Sequence, residues 1–263
     1  MKPLVFLGGG RITSALVAGL RRSGYEGPIV VHDHHAKKLS QLKRQFGVTP
    51  ERDPRRALAS AGLLVVAVRP GSVAGLLQGI GPVRKPLTAV SLAAGIPLAN
   101  LRSLFGGPVR WARAMPSPVC RSARGLTALS FERGFPAKAR AEVRRLFLRV
   151  GTVLEIREKQ FDAFTVTYSS SHGYHALATL AGAAQQLGLD RGSALTAAAH
   201  ALEDGIRHWR ESGIALARLL HEAATPGGVA AATMNAMDAA GYSRVVERGV
   251  RAGVARARAN AKD

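Results

Sequence analysis

The sequence predicts a two-part chain: an α/β, doubly wound (Rossmann-like) N-terminal domain followed by an all-α C-terminal domain. Three observations carry that prediction. Short, almost wholly apolar runs recur between helical stretches over the first 160 residues, the alternation that builds a parallel sheet covered by helices. A glycine turn, Gly8-Gly9-Gly10, joins the first run to the first helical stretch. Beyond Phe161, alanine and leucine dominate and strand-like runs stop. The expected domains are therefore residues 1–160 and 161–263.

Taken in order, Leu4-Val5-Phe6-Leu7 is too short for a helix and runs straight into the glycines. Gly8 allows a tight turn, Gly10 lets backbone approach a pyrophosphate, and the helix opening at Arg11-Ile12-Thr13 offers unpaired N–H groups and a positive dipole end. Ile29-Val30-Val31-His32 forms a second strand that ends at Asp33, 23–25 residues after the glycines. A carboxylate there can bind ribose hydroxyls, the arrangement that favours NAD. His34, His35, Lys37 and Lys38 follow directly; as cations they suit the 2′-phosphate of NADP, and both cofactors stay open.

Residues 63–68 are a continuous apolar run, as in a strand buried on both faces, ending in Val68-Arg69-Pro70. Residues 88–92 form the next strand and break into Ala93-Ala94-Gly95, small residues over which a flat ring can lie close to backbone. Further strands are expected at 109–114, 126–131 and 151–156, and helices at 174–187, 192–211, 215–223, 229–240 and 242–260. Two polar punctuations interrupt the helical half: Tyr168-Ser169-Ser170-Ser171-His172-Gly173-Tyr174, and Thr225-Pro226-Gly227-Gly228. Thr225 as N-cap with Pro226 at the first helical position is a sound helix start, and its exposed N–H groups would suit a carboxylate.

Charge narrows the function classes. Lys and Arg number 37 against 17 Asp and Glu, a net +20. Residues 1–160 hold 27 basic and 8 acidic residues, whereas 161–263 hold 10 and 9. Within the basic half the charges stand singly or in pairs without interleaved aromatics to stack bases, so no nucleic-acid partner is expected. No stretch is long and apolar enough for a membrane span, and MKPLVFLGGG has no secretory pattern, so a cytoplasmic location is expected. The single cysteine, Cys120, can form no internal disulfide, and neither it nor the scattered histidines His32, His175, His200, His208 and His221 make a metal-ligand spacing. Nucleophile elbow, P-loop and paired catalytic carboxylates are all missing from the sequence, which leaves hydrolase and kinase readings without support.

Several segments in the same order resemble pyrroline-5-carboxylate reductase: the Phe6–Ile12 glycine turn, Ala67-Val68-Arg69-Pro70, Ser91–Ile96, Arg113-Ala114-Met115-Pro116, Ser169–Ser171 and Thr225-Pro226-Gly227-Gly228. The likeness spans almost the whole chain. It implies hydride transfer from NADPH or NADH to the C=N carbon of a small cyclic imine acid, giving L-proline in proline biosynthesis. It also implies a homodimer with intertwined helical domains, active sites built from both chains, and possible assembly into rings of dimers. The near-neutral second half suits such an interface, where like charges would repel.

By that resemblance Gly8, Gly10, Arg11 and Ile12 hold the pyrophosphate, Val68, Arg69 and Pro70 the ribose or adenosine side, and Ala93, Ala94 and Gly95 the nicotinamide end. Ser169, Ser170 and Ser171, with Thr225, Gly227, Gly228 and Ala230, would grip the substrate. The sequence departs from the family on the substrate side. The family's Pro-Gly-Gly-Thr-Thr has Val229 and Ala230 in place of the two threonines, and its Met-Pro-Asn-Thr-Pro becomes Met115-Pro116-Ser117-Pro118-Val119. Tyr168 and His172, also departures, are candidate proton donors to the product amine, water being the alternative. Three readings follow: the reductase proper, a paralogue reducing another cyclic imine, and a cofactor-binding paralogue with a regulatory role.

Overall fold

A computed structural model describes residues 2–261. The described residues divide into two compact units, 2–166 with 253–261, and 167–252. The first contains β1 (Leu4–Leu7), α1 (Arg11–Arg22), β2 (Ile29–His32), α2 (Ala36–Phe46), β3 (Thr49–Glu51), α3 (Pro54–Ser60), β4 (Leu63–Val66), α4 (Val73–Ile80), β5 (Leu87–Ser91) and α5 (Leu98–Leu104). It continues through β6 (Val109–Pro116), β7 (Gly125–Phe131), α6 (Ala137–Leu148), β8 (Gly151–Glu155) and α7 (Phe161–Thr167).

The eight strands form one sheet in the order β3-β2-β1-β4-β5-β6-β7-β8. All neighbours are parallel except β6 and β7. Strand order reverses between β1 and β4, which opens a crevice beyond their carboxyl ends. Successive residues of each strand face opposite layers. Leu4 and Phe6 pack with α1 residues Leu16 and Leu20 and with Phe147 of α6. Val5 and Leu7 pack on the other side with Leu77 of α4, Leu101 of α5 and Trp111. Burial on both faces is why these strands read as unbroken apolar runs.

Close backbone contact fixes α1. A side chain at Gly19 would place its Cβ 2.1 Å from the carbonyl oxygen of Cys120, so only glycine lets the helix seat against the turn Pro118–Ser122. Burial pushes the Cys120 thiol up to about 12, which makes it a packing group and not a nucleophile.

The second unit is helical: α8 (Ser170–Gln186), α9 (Arg191–Ser212), α10 (Leu216–Ala223), α11 (Val229–Ala239) and the first turns of α12 (Tyr242–Ala259). α8 and α9 meet through Ala181, Ala194 and Ala198, with Leu177 and Ala184 beside them. Few large apolar side chains are covered within this unit. Tyr174 is 69% exposed, Leu187 84% and Val229 86%, and Ile206, Trp209, Leu216 and Leu220 are exposed as well. Among the described residues no helix is long and apolar enough to cross a membrane.

Several boundaries differ from those expected. β3, with the sequence Thr-Pro-Glu at the sheet edge, was not anticipated, because an exposed edge strand needs no apolar run. The run 63–68 is strand only to Val66. α8 begins at Ser170, a turn before the expected 174, with the Ser169 hydroxyl accepting from the Ser171 N–H. Ser170, Ser171 and His172 therefore lie on a helix and not in a loop. Thr225 is not an N-cap: Gly227 takes φ +76 and the Gly228 N–H bonds Thr225 O at 2.9 Å, a turn that delays α11 until Val229 with Gly228 as its cap.

Candidate functional site

The glycine turn after β1 lies at the point where strand order reverses. Gly8 has φ +110, and a Cβ there would stand 2.7 Å from Ala67 O and 3.0 Å from Val68 Cγ1. The turn can therefore press directly on the chain leaving β4. Gly8 N–H bonds His32 O at 2.8 Å, while the buried Thr13 hydroxyl donates to Gly8 O at 2.5 Å. Thr13, in the place where a small residue is usual, thus closes the turn from within α1. Gly10 is the N-cap of α1 and offers no side-chain cap, and a Cβ built on it meets nothing within 4 Å. The result is an open cradle facing the N–H groups of the first helical turn, a fit for an anionic diphosphate. Arg11 is exposed beside it and Ile12 half-buried.

Asp33, at the end of β2, is buried and fully engaged by the protein. Oδ2 accepts the Gly9 N–H at 2.8 Å; Oδ1 accepts the His35 N–H at 2.9 Å and lies 2.9 Å from His35 Nδ1. Lys38 Nζ stands 3.6 Å from Oδ2, and His34 Nδ1 3.8 Å from Oδ1. Burial alone would raise its pKa. The hydrogen bonds from His35 and Gly9 and the Lys38 charge outweigh that and hold Asp33 at about 2. Asp33, His34 and His35 bring potential ligand atoms within 4.8 Å of one another. Lys38, 3.6 Å from Oδ2, places a cation beside them, a setting that works against a metal ion.

Val68 follows β4 and lies against Gly8, and exposed Arg69 is the N-cap of the short 3-10 turn Pro70–Ser72. After β5 the small-residue turn is held by Leu92 N–H to Val66 O at 2.9 Å and Ala93 N–H to the Ser91 hydroxyl at 3.2 Å. Ala93 is buried, Ala94 half-buried and Gly95 takes φ +78. Gly8, Gly10, Asp33, Val68 and Ala93–Gly95 thus follow the carboxyl ends of β1, β2, β4 and β5. Tyr168, Ser169–Ser171, His172, Thr225, Gly227, Gly228 and Ala230 belong to the second unit. There Tyr168 and Ser169 are half-buried; His172, Thr225 and Ala230 are exposed. Gly228 caps α11 without a side chain.

Arg113 anchors a buried network that no local pattern in the sequence marks. Its guanidinium bonds Asp162 at 3.1 Å, stands 3.6 Å from Glu158 and lies 4.2 Å above the Phe161 ring. Burial lowers its pKa, while Asp162 and Glu158 favour the charged form. Glu158 also accepts the Leu98 N–H at 2.5 Å at the start of α5. The motif Arg113-Ala114-Met115-Pro116 therefore has a structural job, tying β6 to α5 and α7.

Comparison with known proteins settles the family. A curated pyrroline-5-carboxylate reductase from Thermus thermophilus is 32% identical over 261 residues, covering 95% of this chain and 97% of its own. The chain belongs to the pyrroline-5-carboxylate reductase family. The family model described as pyrroline-5-carboxylate reductase dimerisation matches residues 158–260, and one described as NADP oxidoreductase coenzyme F420-dependent matches 3–95. The fold agrees with the 1-pyrroline-5-carboxylate reductase structure from Streptococcus pyogenes, at TM-score 0.89, 20% identity and 98% coverage of both chains. It also agrees with the Plasmodium falciparum pyrroline carboxylate reductase solved with NADP bound, at TM-score 0.87, 19% identity and 98% coverage of both. The α/β doubly wound first part and the all-α second part are those of this family, and membership makes the chain a reductase-type oxidoreductase.

Proposed function

We propose that this chain reduces pyrroline-5-carboxylate to L-proline, with residues 1–160 binding the dinucleotide and 161–263 carrying substrate contacts and the dimer interface. The observation that carries the reading is the uncapped glycine turn at the β1/β4 switch point, in a chain that matches family reductases end to end. When bound, the reduced cofactor supplies a hydride to the C=N carbon, and one proton completes the amine. Gly8, Gly10, Arg11 and Ile12 hold the diphosphate by backbone N–H groups and one cation. Val68, Arg69 and Pro70 border the ribose, and Ala93, Ala94 and Gly95 receive the ring. Ser169–Ser171 and the Gly228 helix start, with Thr225, Gly227 and Ala230, orient the imine acid.

NADP(H) is the favoured cofactor. Both carboxylate oxygens of Asp33 already accept from Gly9 and His35, which leaves them poor partners for ribose hydroxyls. His34, His35, Lys37 and Lys38 are exposed around it and suit a 2′-phosphate. The many exposed large apolar side chains of α8–α12 are of the kind that subunit contact covers, and they support a homodimer. Tyr168 and His172 are the proposed proton donors, in reach of neutral-pH chemistry by type.

A second reading, reduction of a different cyclic imine, rests on Ala230, which removes a hydroxyl at the family's substrate threonine. The deciding experiment follows NADPH and NADH oxidation at 340 nm with pyrroline-5-carboxylate and a panel of other cyclic imines. Turnover of pyrroline-5-carboxylate above the rest supports the first reading; preference for another imine replaces it with the second. Silence across the panel despite cofactor binding removes both.

A further inference from the structure

The end of the chain returns to the sheet-bearing unit and lands on the turn after β5. Gly253, Ala257 and Asn260 recur at intervals of four and three, so they share one side of α12 and its exit. A Cβ on Gly253 would stand 2.7 Å from Val166 Cγ1, and Ala257 is buried. The Ala257 carbonyl oxygen lies 1.7 Å from where a Cβ on Gly95 would be, a contact that no residue but glycine permits at 95. Asn260 Nδ2 donates to Ala94 O at 3.1 Å, and Asn100 Nδ2 of α5 donates to Ala261 O at 2.9 Å. A turn of Ala, Ala and Gly has no side chains long enough to fix its own shape. The bonds at Leu92 and Ala93 hold its start, and the group that holds the Ala94 carbonyl comes from the far end of the sequence.

We propose that Asn260, seated by the Ala257–Ala261 backbone, is a positioning residue for the nicotinamide end of the dinucleotide, setting the Ala94 carbonyl and the height of the turn under the ring. The inference rests on the dinucleotide site proposed above. It matters because a displacement of about 1 Å between reacting groups costs on the order of 100-fold in rate. It also gives the C-terminal helix a role separate from subunit pairing.

The test uses the full chain and two probes, NADP⁺ and 2′-phospho-ADP-ribose, which lacks the nicotinamide ring, titrated calorimetrically into wild type, Asn260→Ala and Asn260→Asp. Asparagine and aspartate have the same shape, but a carboxylate would face the Ala94 carbonyl, so Asn260→Asp should bind NADP⁺ about 5- to 10-fold more weakly, the scale of one hydrogen bond. Asn260→Ala should lose less, and the ringless probe should bind all three proteins within about twofold, the reference being an interaction absent from that ligand. A purely packing role would reverse the order, since aspartate fills the space and alanine does not. Equal weakening of both probes, or no change in either, overturns the proposal. If the Asn260 variants fail to fold, Asn100→Ala removes the sister bond and must show the same ring-selective loss in smaller degree. Wild type that binds neither probe removes the dinucleotide reading itself, and this inference with it; wild type that binds both with no selective loss in the variants removes this inference alone.

Discussion

Asp33 Oδ2 accepts the backbone N–H of Gly9 at 2.8 Å, so the carboxylate ending β2 is bonded to the glycine turn ending β1. That bond, with those from His35, holds the Asp33 pKa at about 2, below its ordinary 3.8. A carboxylate with a depressed folded pKa stabilises fully above its unfolded value, and the contribution fades as pH falls through the folded one. Asp33→Asn should therefore cost about 1–3 kcal/mol at neutral pH, because one buried N–H loses its acceptor. Urea denaturation should show the gap between wild type and variant closing between about pH 4 and pH 2. A gap of the same size at both ends of that range would mean the carboxylate charge is not what stabilises the turn.

Much of the sheet is legible in the sequence because strands buried on both faces carry mostly apolar residues, as Leu-Val-Phe-Leu of β1, Ile-Val-Val of β2 and Leu-Leu-Val-Val of β4 do. Thr49-Pro50-Glu51 carries no such mark, since an edge strand pairs on one side only. The glycine turn is legible for a related reason: φ +110 at Gly8 and the contact with Ala67 allow no other residue. What joins distant segments is not. The Asp33 carboxylate could be placed near a ribose from spacing, but its bond to Gly9 turns it toward the protein. Asn260 and Ala94 are 166 residues apart, and no local periodicity records that pairing. Thr225 looks like a helix cap until Gly227 adopts its left-handed conformation.

The cations beside Asp33 should separate the two cofactors. Replacing His34 and Lys38 by alanine removes one ammonium and one imidazole from the exposed side of the cluster while leaving the Gly9 bond in place. The KM for NADPH should rise about 5- to 20-fold, the scale of charge-assisted hydrogen bonds, with the NADH value unchanged. The same rise for both cofactors would assign these residues to general attraction of anions and not to the 2′-phosphate.

Arg113 of β6 is 2% exposed and bonded to Asp162 of α7. Arg113→Met fits the space but leaves Asp162 and Glu158 without their cation. Full burial of the carboxylates would put the cost at about 3–5 kcal/mol. Because Asp162 and Glu158 retain some solvent, with side chains 21% and 37% exposed, about 2–3 kcal/mol is expected. Asp162→Asn keeps an acceptor for the guanidinium and should cost about 1 kcal/mol. Equal losses for the two, measured by denaturant midpoints, would mean that the Asp162 charge carries the whole contribution and that Glu158 pairing and packing on Phe161 add little.

Ala230 is exposed at the second position of α11, two residues past the Gly228 N-cap. A threonine there meets no crowding in its own unit and costs at most about 0.7 kcal/mol in helix propensity. If position 230 faces the imine, Ala230→Thr restores the hydroxyl that family reductases carry. The kcat/KM for pyrroline-5-carboxylate should then rise about 5- to 10-fold, the worth of one hydrogen bond made in the transition state. With the cofactor held by the first unit as proposed, its KM should stay the same. A fall in kcat/KM, together with a gain for no other imine, would show that the space left by Ala230 is used by a bulkier substrate. Tyr168→Phe and His172→Gln in the same assay then identify the proton donor, since only the residue that supplies the proton should depress kcat while leaving both KM values in place.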